Sequence, residues 1–408
     1  VVRNLSIYIH YPFCLSKCPY CDFNSHIADK IDYKDYINAY YLELESFFSK
    51  TSKRKITSIF FGGGTPSLMP ISMVEEILGK INKLWHVDNN CEITMEVNPT
   101  SFEVEKFKEL KKIGINRLSV GIQSLNDRDL KFLGRNHNAK DSIKALNEVA
   151  NIYDNFSFDL IYARPSQDID QWINELRLAL SFASTHLSLY QLTIEKGTAF
   201  YKDFKDQKFT MPSDELSSLM FEKTNIIMQE SGFINYEISN YAKNNKSCLH
   251  NLCYWLGGDY IGIGPGAHSR LYFDDDLSKR YEIIMTYLPQ KWLNDNLKQG
   301  NAIKKKKQIL KSNILEELIL TALRTNNGLS NDILKNHNFL DLRTIFDYQK
   351  LLKIKKNNMI SLEDDSIKIA KDYRFLANSV IFKVADAINL MILDDHGACA
   401  SLSEDFHE

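Results

Sequence analysis

Short alternating runs of apolar and polar residues, separated by stretches of helical period, fill the first half of the chain. Leu5–His10 alternates as a β-strand. Ile37, Tyr40, Tyr41, Leu44, Phe47 and Phe48 then recur at the spacing of one helix face, which predicts an amphipathic helix. Ile56–Phe61 reads as a strand ending in Gly62-Gly63-Gly64-Thr65-Pro66, and Ser72-x-x-Glu75 reads as a capping box opening a helix with Val74, Ile77, Leu78, Ile81 and Leu84. Glu92–Val97 is the next strand, with Thr100-x-x-Glu103 capping the helix after it. Strands follow at Leu118–Ile122, Phe156–Tyr162 and Leu187–Thr193, with helices at Asp141–Asn151 and Trp172–Phe182 between them. Six strand–helix units in series predict an α/β fold whose parallel sheet, with right-handed crossovers, closes as a partial TIM-like (β/α)6 barrel or a full one. Barrels of this kind gather their chemistry at the carboxyl ends of the strands. The glycine run, Glu96, Gln123 and Asp159 all fall at or near such ends.

Beyond Pro212 the pattern changes. A helix covers Asp214–Ser231, then an aromatic and glycine-rich segment runs from Phe233 to Phe273. Lys279–Leu297 reads as a further helix. Asn301–Lys307 reads as a polar linker whose four lysines are a solvated entry to the amphipathic helix Leu310–Leu323. The remainder, to Phe382, has short helical runs and one alternating stretch, Met359–Ile369, predicting a small, mostly helical, winged-helix-like domain. The expected division is a barrel core at 1–210, a barrel-completing extension at 211–300, a C-terminal domain at 301–385 and an unassigned tail at 386–408.

Hydrophobic residues make up 44% and charged residues 25%, enough apolar surface for a soluble globular core. The net charge of −2 argues against generic nucleic-acid or membrane-surface binding, and no apolar run approaches a membrane span. Seven cysteines, an odd number, with no targeting segment at the start, point to a reducing cytoplasm and away from a disulfide framework.

Three of those cysteines stand at Cys14-x3-Cys18-x2-Cys21, directly after the first strand. Three thiolates at this spacing can hold three corners of a [4Fe–4S] cluster and leave the fourth iron open for a small-molecule ligand and one-electron chemistry. A structural zinc site would need a second Cys or His pair at finger spacing, and none follows. Cys91, Cys248, Cys253 and Cys399 are scattered and read as packing residues.

These motifs together resemble the radical S-adenosylmethionine (SAM) proteins, and within them the branch that includes anaerobic coproporphyrinogen III oxidase. The resemblance is carried by the triple cysteine and Gly62-Gly63-Gly64-Thr65-Pro66, with Tyr8-x-His10-x-Pro12-Phe13-Cys14 and Glu96-Val97-Asn98-Pro99. Ser119-x-Gly121-x-Gln123-Ser124, Leu133-Gly134-Arg135-x-His137 and Asp159-Leu160-Ile161-Tyr162 complete it. It implies a radical SAM barrel with a cluster on Cys14, Cys18 and Cys21, and SAM chelating the open iron. One electron then cleaves a C–S bond of SAM to give a 5′-deoxyadenosyl radical. The resemblance further implies that Gly63, Gly64 and Thr65 cradle the methionine end of SAM, and that Glu96, Gln123, Arg135 and Asp159 contact SAM. Tyr8 either lies beside the cluster and SAM or is a plain strand aromatic. Gly264–His268 either lines the far side of the adenosine pocket or is a turn.

Two features separate the subfamilies. The oxidase continues its motif with a fourth cysteine where this chain has Phe23. His250-Asn251-x-x-Tyr254-Trp255 is instead similar to a motif of the HemW-type heme chaperones. The resemblance therefore implies heme as a third bound group, an acceptor protein for it, and a small-protein electron donor. The alternative is an oxygen-independent coproporphyrinogen III dehydrogenase. His250 beside aromatic rings suits heme, since imidazole ligates iron and rings pack on a porphyrin; the competing reading is a core histidine hydrogen-bonded inside an aromatic cluster. Arg164, where relatives carry a Gly-Leu-Pro run, either meets a heme propionate or faces solvent.

Overall fold

The computed structural model describes residues 3–27, 31–99, 103–182, 184–243 and 246–389. Six parallel strands stand side by side in sequence order: β1 (Asn4–Tyr11), β2 (Lys55–Gly63), β3 (His86–Val97), β4 (Arg117–Gln123), β5 (Phe156–Tyr162) and β6 (His186–Gln191). Helices α1 (Tyr33–Thr51), α2 (Ile71–Leu84), α3 (Glu103–Lys112), α4 (Asp127–Phe132), α5 (Ala139–Ile152) and α6 (Ile169–Leu180) lie in the crossovers. The α/β expectation of a partial barrel built from six units thus holds.

Period-2 alternation sorts the two faces of these strands. Leu5, Ile7, Ile9 and Tyr11 of β1 pack outward with Phe158, Leu160, Leu187 and Leu189 into one large apolar cluster under the helices. The intervening positions, including Ser6, Ser58, Glu92, Arg117, Ser157 and His186, are polar yet buried. Residues of one parity share one face of a strand, so the polar set turns into the barrel.

Helix α1 shows how the crossovers are built. Tyr36, Ala39, Tyr40, Glu43, Leu44 and Phe47 are buried, and Ile37, Tyr41 and Phe48 of the expected stripe are only half-buried. The buried Glu43 carboxylate is matched by donors from Gly264 N at 2.8 Å, Trp292 Nε1 at 2.6 Å and Asn296 Nδ2 at 3.1 Å. A buried charge is tolerated only with such partners. Ser72 is not a cap: α2 begins at Ile71 after Pro70, with no side-chain cap bond. The capping box forms instead at Asn138 and Asp141, at the start of α5. Thr100 lies outside the described residues.

The rest of the sheet comes from later in the chain, after α7 (Ala199–Lys205) and α8 (Asp214–Glu230). On the β6 side lie β7 (Ile234–Asn235) and β8 (Asn240–Ala242); on the β1 side lie β9 (Tyr260–Ile263), β10 (His268–Phe273), β11 (Asp276–Met285) and β12 (Ile303–Gln308). Twelve strands run in the order β12-β11-β10-β9-β1-β2-β3-β4-β5-β6-β8-β7. The helix expected at Lys279–Leu297 is therefore a strand followed by α10 (Pro289–Gln299). The lysine-rich linker is an edge strand with all six residues exposed. Lysines on an open edge resist pairing with another chain, so β pairing with β11 won over linker composition.

Helix α9 (Leu249–Trp255) packs against β2. A second apolar cluster gathers α11 (Lys311–Ala322), α12 (Asn331–Asn336), α13 (Leu342–Ile345), α14 (Tyr348–Lys356) and α15 (Ala377–Ala385). It also takes in the small sheet of β13 (Leu329–Ser330), β14 (Ile360–Leu362) and β15 (Ser366–Ile369), in which β15 is central. The expected alternation at Met359–Ile369 is the β14–β15 hairpin. No helix among the described residues is long and apolar enough to cross a membrane. Met391–Glu408 lies outside the described residues.

Candidate functional site

The strand ends converge on a cleft of about 490 Å³. The loop after β1 supplies Cys14, Cys18 and Cys21 to its wall, and the end of β2 supplies Gly63, Gly64 and Thr65. Glu96 ends β3, Gln123 ends β4, Asp159 lies in β5, and Arg135 enters from the segment after α4. Ten of the twelve residues expected at the site thus share one cavity: three thiols, three glycine-run positions, two carboxylates, an amide and a guanidinium.

A hydrogen-bond chain ties the thiols to the opposite wall. Arg135 donates to Asn98 Oδ1 at 2.6 Å and to Gly121 O at 2.7 Å. Asn98 Nδ2 donates to Thr65 Oγ1 at 3.1 Å, and Thr65 donates to Cys14 Sγ at 3.5 Å. Arg135 also donates to Cys18 Sγ at 3.5 Å and to Tyr20 Oη at 3.4 Å. Burial pushes the Cys14 and Cys21 thiols up, and the Thr65 hydroxyl opposes this at Cys14. Donors aimed at sulfur stabilise thiolate charge and tune any cluster held there. Asn98 is a site residue missed by the reading of single positions. Its signal was its place two residues beyond Glu96 on the same strand end.

The carboxylates carry the second electrostatic feature. Burial, then the nearby Asp159 charge, pushes Glu96 up to about 8, while the Gly63 N–H, donating to Glu96 Oε2 at 3.1 Å, opposes the shift. Burial raises Asp159 to about 6 against the pull of Ser188, Arg117 and Arg135. Two buried acids in one cleft favour a cationic ligand, which would let both ionise.

Backbone shape at the strand ends is specific. Gly63 has φ +112, and a side chain on it would strike the His10 ring at 2.6 Å. On Gly64 it would strike the Phe13 backbone at 2.6 Å. The glycines are thus required by β1 and its loop, and their backbone faces the cleft as a consequence. Gln123 holds φ +72, a left-handed conformation that costs a non-glycine residue on the order of 1 kcal/mol and turns the end of β4 toward the cleft.

The donor set fits the groups that the motifs imply. Three thiols from one loop could each bind one iron of a cluster and leave a fourth iron open. Across from them, Arg135 is paired at its terminal nitrogens while its buried Nε has no partner among the described residues, and two buried carboxylates with raised pKa values suit a cationic ligand.

Two expected residues lie elsewhere. Tyr8 is beneath the cleft floor: its hydroxyl meets His10 Nδ1 at 3.1 Å, and its pKa is raised well above the usual phenol value by burial, then by Glu96. It is a strand aromatic under the acid pair and does not line the cleft. His250 is 1% exposed, with Nδ1 at 2.9 Å from Ser58 Oγ and Nε2 at 2.7 Å from Tyr254 Oη. Its ring stacks on Phe60 at 5.0 Å. Burial, then Arg117, lowers its pKa to about 3. Both nitrogens are occupied, so the placement fits the hydrogen-bonded core histidine and corrects the iron-ligand reading. Arg164 is also corrected. It is buried and pairs with Glu175 at 2.5 Å and Asp129 at 2.9 Å, so it does not face solvent. Gly264–His268 does not line the cleft, and Gly264 abuts the His10 backbone as part of a turn.

Residues 8–179 match the radical SAM superfamily. The chain is 38% identical over 321 residues to the heme chaperone HemW of Buchnera aphidicola (subspecies Schizaphis graminum), covering 78% of this chain and 82% of that one. It is 42% identical to the heme chaperone HemW of Haemophilus influenzae over 66% of this chain and 71% of that one. It is 35% identical to the mitochondrial radical S-adenosyl methionine domain-containing protein 1 of Danio rerio, over 80% of this chain and 74% of that one. Among solved structures, coproporphyrinogen III oxidase (HemN) of Escherichia coli superposes with a TM-score of 0.77 at 20% identity, covering 94% of this chain and 90% of that one. That likeness is one of fold.

Proposed function

This chain belongs to the HemW type of radical SAM protein, and from that premise we propose that it binds heme and passes it to an acceptor protein, with a [4Fe–4S] cluster and SAM in its cleft. Cys14, Cys18 and Cys21 are the cluster ligands in this reading. Gly63, Gly64, Thr65, Glu96, Gln123, Arg135 and Asp159 hold SAM. A bound cluster and SAM supply one-electron chemistry.

The chain's own residues do two things. Thr65 and Arg135 donate to two of the three sulfur atoms, and at Cys14 the Thr65 hydroxyl opposes the burial that favours the neutral thiol. Glu96 and Asp159 answer the positive charge of SAM, and Glu96, the more strongly raised of the two, gives up its proton as the cation enters.

The observation that carries the reading is the convergence of three thiols and two acids on one cleft, with Phe23 at its mouth where the oxidase branch has a cysteine. Phe23 cannot ligate metal, and it counts against coproporphyrinogen decarboxylation. Heme titration of the anaerobically reconstituted protein, followed by mixing with an apo-globin, tests this. The expected result is a Soret band that moves to the globin. No Soret band, or protoporphyrinogen formed from coproporphyrinogen, contradicts the proposal.

A further inference from the structure

The cluster loop does not end at the cleft. Beyond Cys21 it runs outward, and Asn24 clamps it to the β9–β12 side of the sheet: Nδ2 donates to Pro265 O at 3.0 Å and to Tyr287 O at 2.9 Å. A side chain on Gly266 would strike Asn24 at 2.5 Å, so the turn before β10 and the cluster loop are in close contact. Phe23, one residue before the clamp, is 57% exposed, and Leu288, one residue after Tyr287, is 61% exposed. Two large apolar side chains thus stand in solvent on the two sides of a tightly bonded joint.

His268 stands at this joint. It opens β10 and is exposed, and its ring has no hydrogen-bond partner among the described residues. Its ring is 6.4 Å from that of Tyr287. Ile284 and then Lys305 are its cross-strand neighbours, and Lys305 is paired with Glu282 at 2.6 Å. Lys304 lies over the Tyr287 ring at 4.3 Å and has no carboxylate partner among the described residues. Partial burial, then the Arg270 charge, keeps the imidazole below its usual pKa and so in the neutral form that ligates metal.

The remaining described histidines are poorer ligands. His10 and His250 use both ring nitrogens within the barrel. His137, His186 and His337 are buried. His26 is tied to Asn24 Oδ1, and His86 opens β3 at the amino end of the barrel, away from the cluster loop.

We infer that this joint is the heme site, with His268 as the iron ligand, Phe23, Tyr287 and Leu288 against the macrocycle, and Lys304 for a heme carboxylate. Heme is a flat apolar ring with two carboxylates on one edge, and the patch offers an imidazole beside the Tyr287 ring, a cation over that ring and exposed apolar side chains next to it. The inference rests on the proposed heme reading and deepens it by moving the ligand from His250 to His268. It also places heme at the outer rim of the loop that carries the three thiols.

Difference spectra of the reconstituted full-length protein, titrated with hemin, test this in wild type, His268→Ala and His268→Met. The account expects a Soret band in wild type. In His268→Ala the affinity should fall by at least about tenfold, since outer partners of a metal alone are worth 10–100-fold. His268→Met keeps a ligating atom and should bind with a displaced band. Circular dichroism and iron content should be unchanged in both variants, because His268 is exposed and outside the cleft. A wild type without a Soret band overturns the heme reading as a whole. A wild-type band whose position and affinity persist in both variants overturns the His268 assignment alone, and this is also what a patch built for a protein partner would give.

Discussion

The two ends of the barrel are lined by the same kind of residue and do opposite things. At the carboxyl ends of the strands, Glu96, Asp159 and Arg135 face a cleft, and part of their hydrogen-bonding capacity is unspent. At the base, Ser58 donates to Ser6 at 2.7 Å and meets His250, His250 meets Tyr254, and Arg117 donates to Ser157 at 2.8 Å. Glu92 there accepts from Cys248 Sγ and the His250 backbone. Helix α9 closes that end, and its polar groups largely satisfy one another. Polar residues facing inward are therefore no sign of a binding site by themselves. Unpartnered nitrogens occur at both ends, Arg135 Nε at the cleft and Arg117 Nε and His186 Nδ1 at the base, so access to the cleft is what marks the site.

The sharpest way to break the comparison is at the cleft. Cys18→Ala should remove the third thiol and the sulfur that Arg135 serves, dropping iron and labile sulfide from about four each per chain to near zero, with the circular dichroism kept. At the base the same size of change should cost stability and not chemistry. His250→Ala removes a stacked ring and strands Ser58 and Tyr254, a loss of roughly 2–4 kcal/mol in denaturant unfolding, with iron content unaltered.

Between these lies a pH effect peculiar to the cleft. Glu96 ionises near 8 in the folded chain against an ordinary value of 4.5. A raised carboxyl binds more protons folded than unfolded across that window. The ligand-free protein should therefore lose stability as pH rises from about 5 toward 8, by on the order of 1 kcal/mol per pH unit. Glu96→Gln should flatten that slope in thermal melts taken across the range. The smallest expected effect is Ser72→Ala, within about 0.5 kcal/mol, because Ser72 caps nothing.

Much of the barrel was legible because parallel strands with alternating faces and helices with a wide apolar stripe each write a period into the chain. Phe156–Tyr162 was predicted to the residue, and the cysteine loop and strand-end acids converge as their positions implied. Long-range pairing was not legible. The strand β11 reads locally as helix, and the lysine run of β12 reads as linker, because their partners are distant edges of the sheet. His250 shows the same limit at the level of one residue. Its motif announced an aromatic setting, yet only the fold reveals that Ser58, far away in the chain, takes the second ring nitrogen. Arg164 likewise finds Glu175 and Asp129 across a turn.

The central claim is that the cleft, and not the sealed base, holds a cluster with an open iron beside SAM. Electron paramagnetic resonance of the reduced, anaerobically reconstituted protein tests it most directly, with spectra before and after SAM is added to wild type and to His250→Ala. The account predicts a [4Fe–4S] signal whose g-values shift on SAM addition in both. A signal that SAM leaves unchanged, or one that responds in wild type and fails to respond in folded His250→Ala, would contradict it.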